Sequence, residues 1–126
     1  MSTTDAGRVG EAKVLAMLSE QGWYPFVDIS GKCPIDIIAW KDGKTITIQV
    51  KSTSTMSNSG KYVVQIGTIR PNRTGNTITK FSSAAQDYLA VYVAPTDKVY
   101  FFRGEDVTTG RTITIQPEME SSTLAC

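Results

Sequence analysis

Pro34-Ile35-Asp36-Ile37-Ile38-Ala39-Trp40-Lys41-Asp42-Gly43-Lys44-Thr45-Ile46-Thr47-Ile48-Gln49-Val50-Lys51 decides how this chain folds. Two β-rich runs flank Asp42-Gly43, a dipeptide that accepts the two positive-φ positions of a type I′ turn. A two-residue turn leaves no freedom in register. Lys41 pairs with Lys44, and each further pair steps one residue along both strands, so Asp36 falls opposite Gln49. Opposed residues project from one face of a sheet. Lys51, two residues after Gln49, shares that face. The hairpin therefore gathers an acid, an amide and an ammonium. Its other face carries Ile35, Ile37, Ala39, Ile46, Ile48 and Val50, an apolar layer for a core.

Upstream, the pattern predicts a helix from about Thr4 to Gln21. Thr3, Thr4 or Asp5 can cap its start, and Gly22 suits the left-handed position after its end. Leu15 and Leu18 follow Glu11 at helical spacing, which places this carboxylate on a core-facing stripe where it needs a partner. A strand is expected over Trp23 to Ile29. Downstream, the Ser/Thr/Asn run from Ser52 to Gly60 reads as a loop. Lys61 to Ile69 reads as a strand, Arg70 to Asn76 as a basic turn or loop and Phe81 to Gln86 as a short helix. Asp87 to Ala94 and Val99 to Phe102 read as strands, with another from Arg111 to Gln116. The order α-β-β-β-β-α-β-β is that of one α/β domain over residues 1–126, a mixed β-sheet flanked by helices.

Composition limits the chemistry. The chain has 126 residues, 40% of them hydrophobic and 20% charged, as in an ordinary globular domain. It contains no histidine, which removes His-based metal sites, Ser-His-Asp triads and Cys-His dyads together. Cys33 and Cys126 form no CxxC pair and read as free thiols. No apolar run approaches membrane-spanning length, and no basic-then-apolar leader opens the chain, so a cytoplasmic protein is expected. The net charge of +1 hides an asymmetry. Lys51, Lys61, Arg70, Arg73 and Lys80 fall in a stretch without Asp or Glu, which carries +5 and leaves −4 for the remainder. That asymmetry fits a polyanion on one face, and equally a solvated loop.

An acid on a helix, an acid on a strand and then x-Lys on the next strand resembles the pattern of PD-(D/E)xK nucleases. Here it stands as Glu11, Pro34-Ile35-Asp36 and Gln49-Val50-Lys51. Within that superfamily the chain looks most like group I intron homing endonucleases of cyanobacterial type. Those similarly place Gln at the third position, followed by an Asp-Tyr-Leu-like strand and an aromatic hairpin, as in Asp87-Tyr88-Leu89-Ala90-Val91-Tyr92 and Val99-Tyr100-Phe101-Phe102. The size and element order are also similar to archaeal-type Holliday-junction resolvases. Ile35 between Pro34 and Asp36, and Gln49 in place of the usual acid, depart from the general motif.

The resemblance implies a restriction-endonuclease-like fold and metal-dependent DNA cleavage. It names Glu11, Asp36, Gln49 and Lys51 as catalytic residues. Mg²⁺, or Mn²⁺, would be held by Glu11, Asp36, the Gln49 side-chain oxygen and the Val50 carbonyl, a hard-oxygen set with two negative charges. Lys51 would orient or deprotonate the attacking water, or stabilise charge on the transition state. In-line attack leaving a 5′-phosphate is the implied outcome, in a bacterial or phage-infected cytoplasm. Taken singly, Asp36 can cap a turn after Pro34, Glu11 can join an ion pair and Lys51 can balance them. Taken together, clustered acids cost several kcal/mol unless a cation answers them.

For double-stranded DNA, Lys61, Arg70, Arg73 and Lys80 are the expected phosphate contacts, with Asn72 and Asn76 as neutral donors. Arg8 is a further phosphate candidate or a solvated arginine. Tyr62, Tyr88, Tyr92, Tyr100, Phe101 and Phe102 read as core or subunit interface rather than base-stacking platforms. Cutting both strands with so small a chain implies a homo-oligomer, a dimer or a tetramer, for which the aromatic hairpin is a candidate surface. Three functions remain in view: a sequence-specific homing-type endonuclease, a junction resolvase, and a DNA-binding module of the same fold that has lost catalysis.

Overall fold

The computed structural model describes residues 3–54, 56, 57, 59–66, 68–72, 75–79, 86–107 and 112–116. Helix α1 runs from Thr3 to Glu20. The strands are β1 (Tyr24–Val27), β2 (Ile37–Lys41), β3 (Lys44–Thr53), β4 (Tyr62–Gln65), β5 (Thr68–Asn72), β6 (Gly75–Thr79), β7 (Tyr88–Val93), β8 (Lys98–Arg103) and β9 (Thr112–Ile115). Five of them form a mixed sheet in the order β1-β2-β3-β7-β8. Two separate ribbons, β4-β9 and β5-β6, complete the described strands.

The turn chemistry sets the centre of the sheet. Asp42 (φ 51°) and Gly43 (φ 80°) both occupy the left-handed region. Lys41 pairs with Lys44, and the antiparallel ladder runs back to Ile37 opposite Ile48. Strand β3 then pairs in parallel with β7, Gln49 against Leu89 and Lys51 against Val91. Both faces of β7 are covered, which is why Leu89-Ala90-Val91-Tyr92-Val93 is a continuous buried run.

Two cores sandwich this sheet. On one face, Val14 and Leu18 of α1 pack with Ile37, Ala39, Ile46, Ile48, Ala90 and Tyr92. On the other, Leu89, Val91, Val93 and Tyr100 pack with Tyr62, Val64, Ile66 and Ile115 of the β4–β9 side. Each fully buried aliphatic side chain contributes roughly 1.5–3 kcal/mol. The second layer is therefore a β-ribbon among the described residues. The helix expected at Phe81 to Gln86 lies outside the described residues except for Gln86, which is buried.

Other expectations are corrected. The basic turn or loop expected over Arg70 to Asn76 is shorter than that span: β5 and β6 pair antiparallel across it, with Arg70 against Thr77 and Asn72 against Gly75. The β7–β8 aromatics face inward. Tyr92 and Tyr100 are buried, and Tyr88, Phe101 and Phe102 are half-buried against the two cores. These rings therefore serve the core, one of the two roles expected of them. Among the described residues, no helix is long and apolar enough to cross a membrane.

The helix is seated by small residues and a C-terminal stop. Gly22 (φ 89°) closes α1: Trp23 N–H donates to the Leu18 carbonyl at 2.9 Å and Gly22 N–H to Ser19 at 3.1 Å, a Schellman arrangement. Lys41 Nζ also donates to the Gln21 carbonyl at 2.9 Å, placing a cation at the negative end of the helix. Gly10 lies against the sheet, where an added Cβ would collide with Ser52 Oγ and stand 2.9 Å from Tyr92 Cβ. Alanine gains about 1 kcal/mol of helix propensity over glycine. Gly10→Ala is nevertheless expected to lose about 1–2 kcal/mol, because overpacking of a rigid interface outweighs that gain. Urea unfolding measures it, and a variant as stable as the parent would refute the close seat of α1.

Candidate active site

Asp36 stands one residue beyond the β2–β3 ladder. Its N–H donates to the Ile48 carbonyl at 3.2 Å, and its carboxylate Oδ2 accepts the Val50 N–H at 2.8 Å. The side chain thus takes over a strand amide where regular pairing ends. The Asp36–Gln49 opposition expected from the turn is not among the ladder pairs, which end at Ile37–Ile48; the Asp36 backbone stays on Ile48 and its side chain reaches the Val50 N–H.

The loop that delivers Asp36 is itself built. The Asp28 carboxylate accepts from Ser30 N–H (3.0 Å), Ser30 hydroxyl (2.6 Å), Lys32 N–H (3.2 Å) and Cys33 N–H (3.0 Å). The Ser30 hydroxyl, then the backbone amides, hold its pKa down to about 2.

Glu11 comes from α1. Ala6, Gly10, Val14 and Leu18 form the fully buried stripe, so Glu11 lies on its flank and is half-buried, with Leu15 on the same side. An open cleft of about 430 Å³ is lined by Thr4, Gly7, Arg8, Glu11, Asp36, Val50, Lys51 and Ser52. Burial pushes the Glu11 pKa above the ordinary carboxylate value, and the neighbouring Asp36 charge pushes it further. Asp36 is also raised, by burial first, against the opposing pull of the Val50 N–H and the Lys51 ammonium.

Of the sequence-derived site residues, the fold brings Glu11, Asp36, Val50 and Lys51 to one cleft. Gln49 is half-buried on β3 and does not line it; its register partner is Leu89, which belongs to the core opposite α1. Lys61 is half-buried just before β4, with its N–H on Ser57 Oγ and its carbonyl accepting Ser57 N–H. Arg70, Asn72 and Asn76 fall on the β5–β6 ribbon. Arg73 and Lys80 lie outside the described residues.

Sequence reasoning missed Ser52. Its hydroxyl is buried at the cleft wall beneath Gly10 and has no hydrogen-bond partner among the described residues. The available signal was its position directly after Lys51. Arg8 reaches the rim as well, where it pairs with Asp5 at 3.1 Å.

The donor set fits a hard divalent cation. The two carboxylates and the Val50 backbone carbonyl would offer it oxygen donors, and no Cys or His shares the cleft. Among the described residues no cluster of three or more His, Cys, Asp or Glu exists. A cation here would complete its shell with water and substrate oxygens, as Mg²⁺ habitually does.

The raised carboxyl groups carry a signed consequence. Stability linked to them is fully present below their unfolded pKa values and is lost as pH rises through the higher folded values. At neutral pH without metal, Asp36→Asn and Glu11→Gln are therefore expected to melt a few degrees above the parent; Asn at position 36 keeps an acceptor for the Val50 N–H. Adding Mn²⁺ should raise the parent's melting point more than either variant's. Calorimetry checks both, and variants that melt lower while responding to Mn²⁺ like the parent would contradict a strained acid pair.

Comparison with known proteins places the architecture. The family model described as PD-(D/E)XK endonuclease matches residues 1–122. A solved bacterial homing endonuclease, I-Ssp6803I, superposes with a TM-score of 0.82 at 20% sequence identity, covering 97% of this chain and 84% of that one. No curated protein matches the sequence. At that identity the structural likeness establishes a shared restriction-endonuclease-like fold, and the family match over nearly the whole length establishes membership: the chain belongs to the PD-(D/E)XK endonuclease family.

Proposed function

We propose that this protein is a metal-dependent, sequence-specific DNA endonuclease of homing type, which hydrolyses phosphodiester bonds as a homo-oligomer. The observation that carries this reading is the pair of half-buried acids, Glu11 and Asp36, in one open cleft with Lys51. Clustered carboxylates cost free energy unless a cation answers them. Glu11, Asp36 and the Val50 carbonyl would hold Mg²⁺ or Mn²⁺, and Gln49 is assigned by motif position as a neutral oxygen donor. The bound cation supplies positive charge to the scissile phosphate.

The chain's own residues do the rest. The Val50 N–H fixes one Asp36 oxygen and so orients the carboxylate. Lys51 carries a positive charge toward the phosphoryl group and hydrogen-bonds the attacking water. Lys61, Arg70, Arg73 and Lys80, with Asn72 and Asn76, are assigned to the DNA backbone. Four to five such contacts give log K a slope of roughly −4 against log salt.

Incubation with plasmid, long linear duplex and four-way junctions, in Mg²⁺, Mn²⁺ or EDTA, tests the proposal. Duplex cleavage at discrete sites that EDTA abolishes is expected, whereas cutting confined to junctions would make the protein a resolvase. Asp36→Ala and Lys51→Ala should each lower the rate by about a hundredfold or more. Cleavage undiminished in Asp36→Ala rules out this site, and binding without cleavage by the parent leaves a DNA-binding module. Gln49→Glu should retain activity; an inactive Gln49→Glu beside a fully active Gln49→Ala excludes Gln49 as a donor.

A further inference from the structure

The edge strands β1 and β2 leave one face open. Tyr24 lies opposite Trp40 and Phe26 opposite Ile38. These four side chains are 63, 44, 59 and 42% exposed, in that order, and the Tyr24 and Trp40 rings pack at 5.9 Å between centroids. Their alternating neighbours Ile37 and Ala39 are buried beneath α1, so the exposed row belongs to the opposite face. Over β7 and β8 that opposite face is covered by the β4–β9 side. Over β1 and β2 the described residues leave it bare.

We infer that the face carrying Tyr24, Phe26, Ile38 and Trp40 is where a second copy of this chain docks. Three observations select that occupant. First, the patch itself carries no charge: Tyr24, Phe26, Ile38 and Trp40 are apolar or aromatic, and the next positions across the sheet, Thr45 and Thr47, are neutral, with Asp87 bordering them at the Thr47 hydroxyl. A two-fold pairing can set such a patch against its own copy without bringing like charges together. Second, the four side chains leave on the order of 400 Å² open, given the 150–250 Å² that an aromatic residue can bury. That is about half of the roughly 800 Å² each partner contributes to a standard interface, and an apolar centre with a polar rim is the usual division. Asp28 beyond β1, and Asp42 and Lys44 at the hairpin tip, provide such a rim. Third, Pro25 occupies the middle of edge strand β1. It has no N–H to offer, so the sheet is poorly suited to growing through its edge and association falls to the face.

Strand β2 begins directly after Asp36, so a contact on this face would fix how two clefts stand relative to one another. That use rests on the nuclease reading; the contact does not.

Sedimentation of the full chain over a wide dilution series tests the inference. The parent should sediment at twice the chain mass or more. Trp40→Arg and Phe26→Lys should weaken association by about thirtyfold or more, the size of one lost interface hot spot. Met56→Lys, at an exposed apolar residue outside the patch, should leave it unchanged. A parent that stays monomeric at high concentration, or an oligomer indifferent to both patch substitutions, overturns the proposal. If the variants fail to fold, hydrogen exchange on the parent decides: amides of residues 24–27 and 37–41 should gain protection with concentration, and equal protection throughout overturns it. An oligomer of this kind that cuts no DNA under any metal would defeat the nuclease reading and leave the contact standing.

Discussion

The hydrogen bond from Val50 N–H to Asp36 is the constraint on which the site depends. It holds a carboxylate where a β-ladder would otherwise continue, at the mouth of a cleft that already contains Glu11. Neither acid is comfortable there. Burial raises both pKa values, and proximity adds to the effect at Glu11. Lys51 offsets part of the charge on Asp36 without cancelling two carboxylates. A fold selected for stability alone would place an apolar or amide side chain at one of these positions.

Three separate elements must agree for that geometry to exist. The Asp42-Gly43 turn fixes which residue of β3 meets the end of β2. Asp28 organises the loop that leads into Asp36 by gathering backbone amides from Ser30, Lys32 and Cys33. Gly10 lets α1 settle onto Ser52 and Tyr92, and so sets the depth of Glu11 one residue later. The parallel β3–β7 pairing, buried on both faces, supplies the rigid floor beneath all three.

Much of this was legible in the residues, because local rules determined it. Gly22 ends the helix, Asp-Gly makes the turn, and a β-branched hydrophobic layer lies under α1. What escaped was decided over long range. The β4–β9 layer joins segments about fifty residues apart, and nothing in either strand specifies the other. Turn geometry extrapolates a perfect ladder to Asp36, whereas the ladder ends one pair earlier, with the Asp36 N–H on the Ile48 carbonyl and its carboxylate on the Val50 N–H. The β7–β8 aromatics were legible as core or subunit interface, and a small domain uses such rings to fill its two cores.

The cleft gathers two raised carboxyl groups and one of the buried polar atoms that lack a partner among the described residues. Most polar atoms near the sheet find partners, as when Asp87 accepts from Thr47 N–H and hydroxyl. At the cleft two acids share one bound amide and one nearby ammonium, and the buried Ser52 hydroxyl has no partner among the described residues. An unpaired buried polar group costs about 1–3 kcal/mol, so the Ser52 hydroxyl adds to the cost of holding two acids in one cleft. The expense is recovered only by something that brings positive charge and hydrogen-bonding oxygen to the same place. A divalent cation with its water, followed by a phosphodiester, has that composition, so the groups that weaken the empty fold are the ones that would grip its substrate.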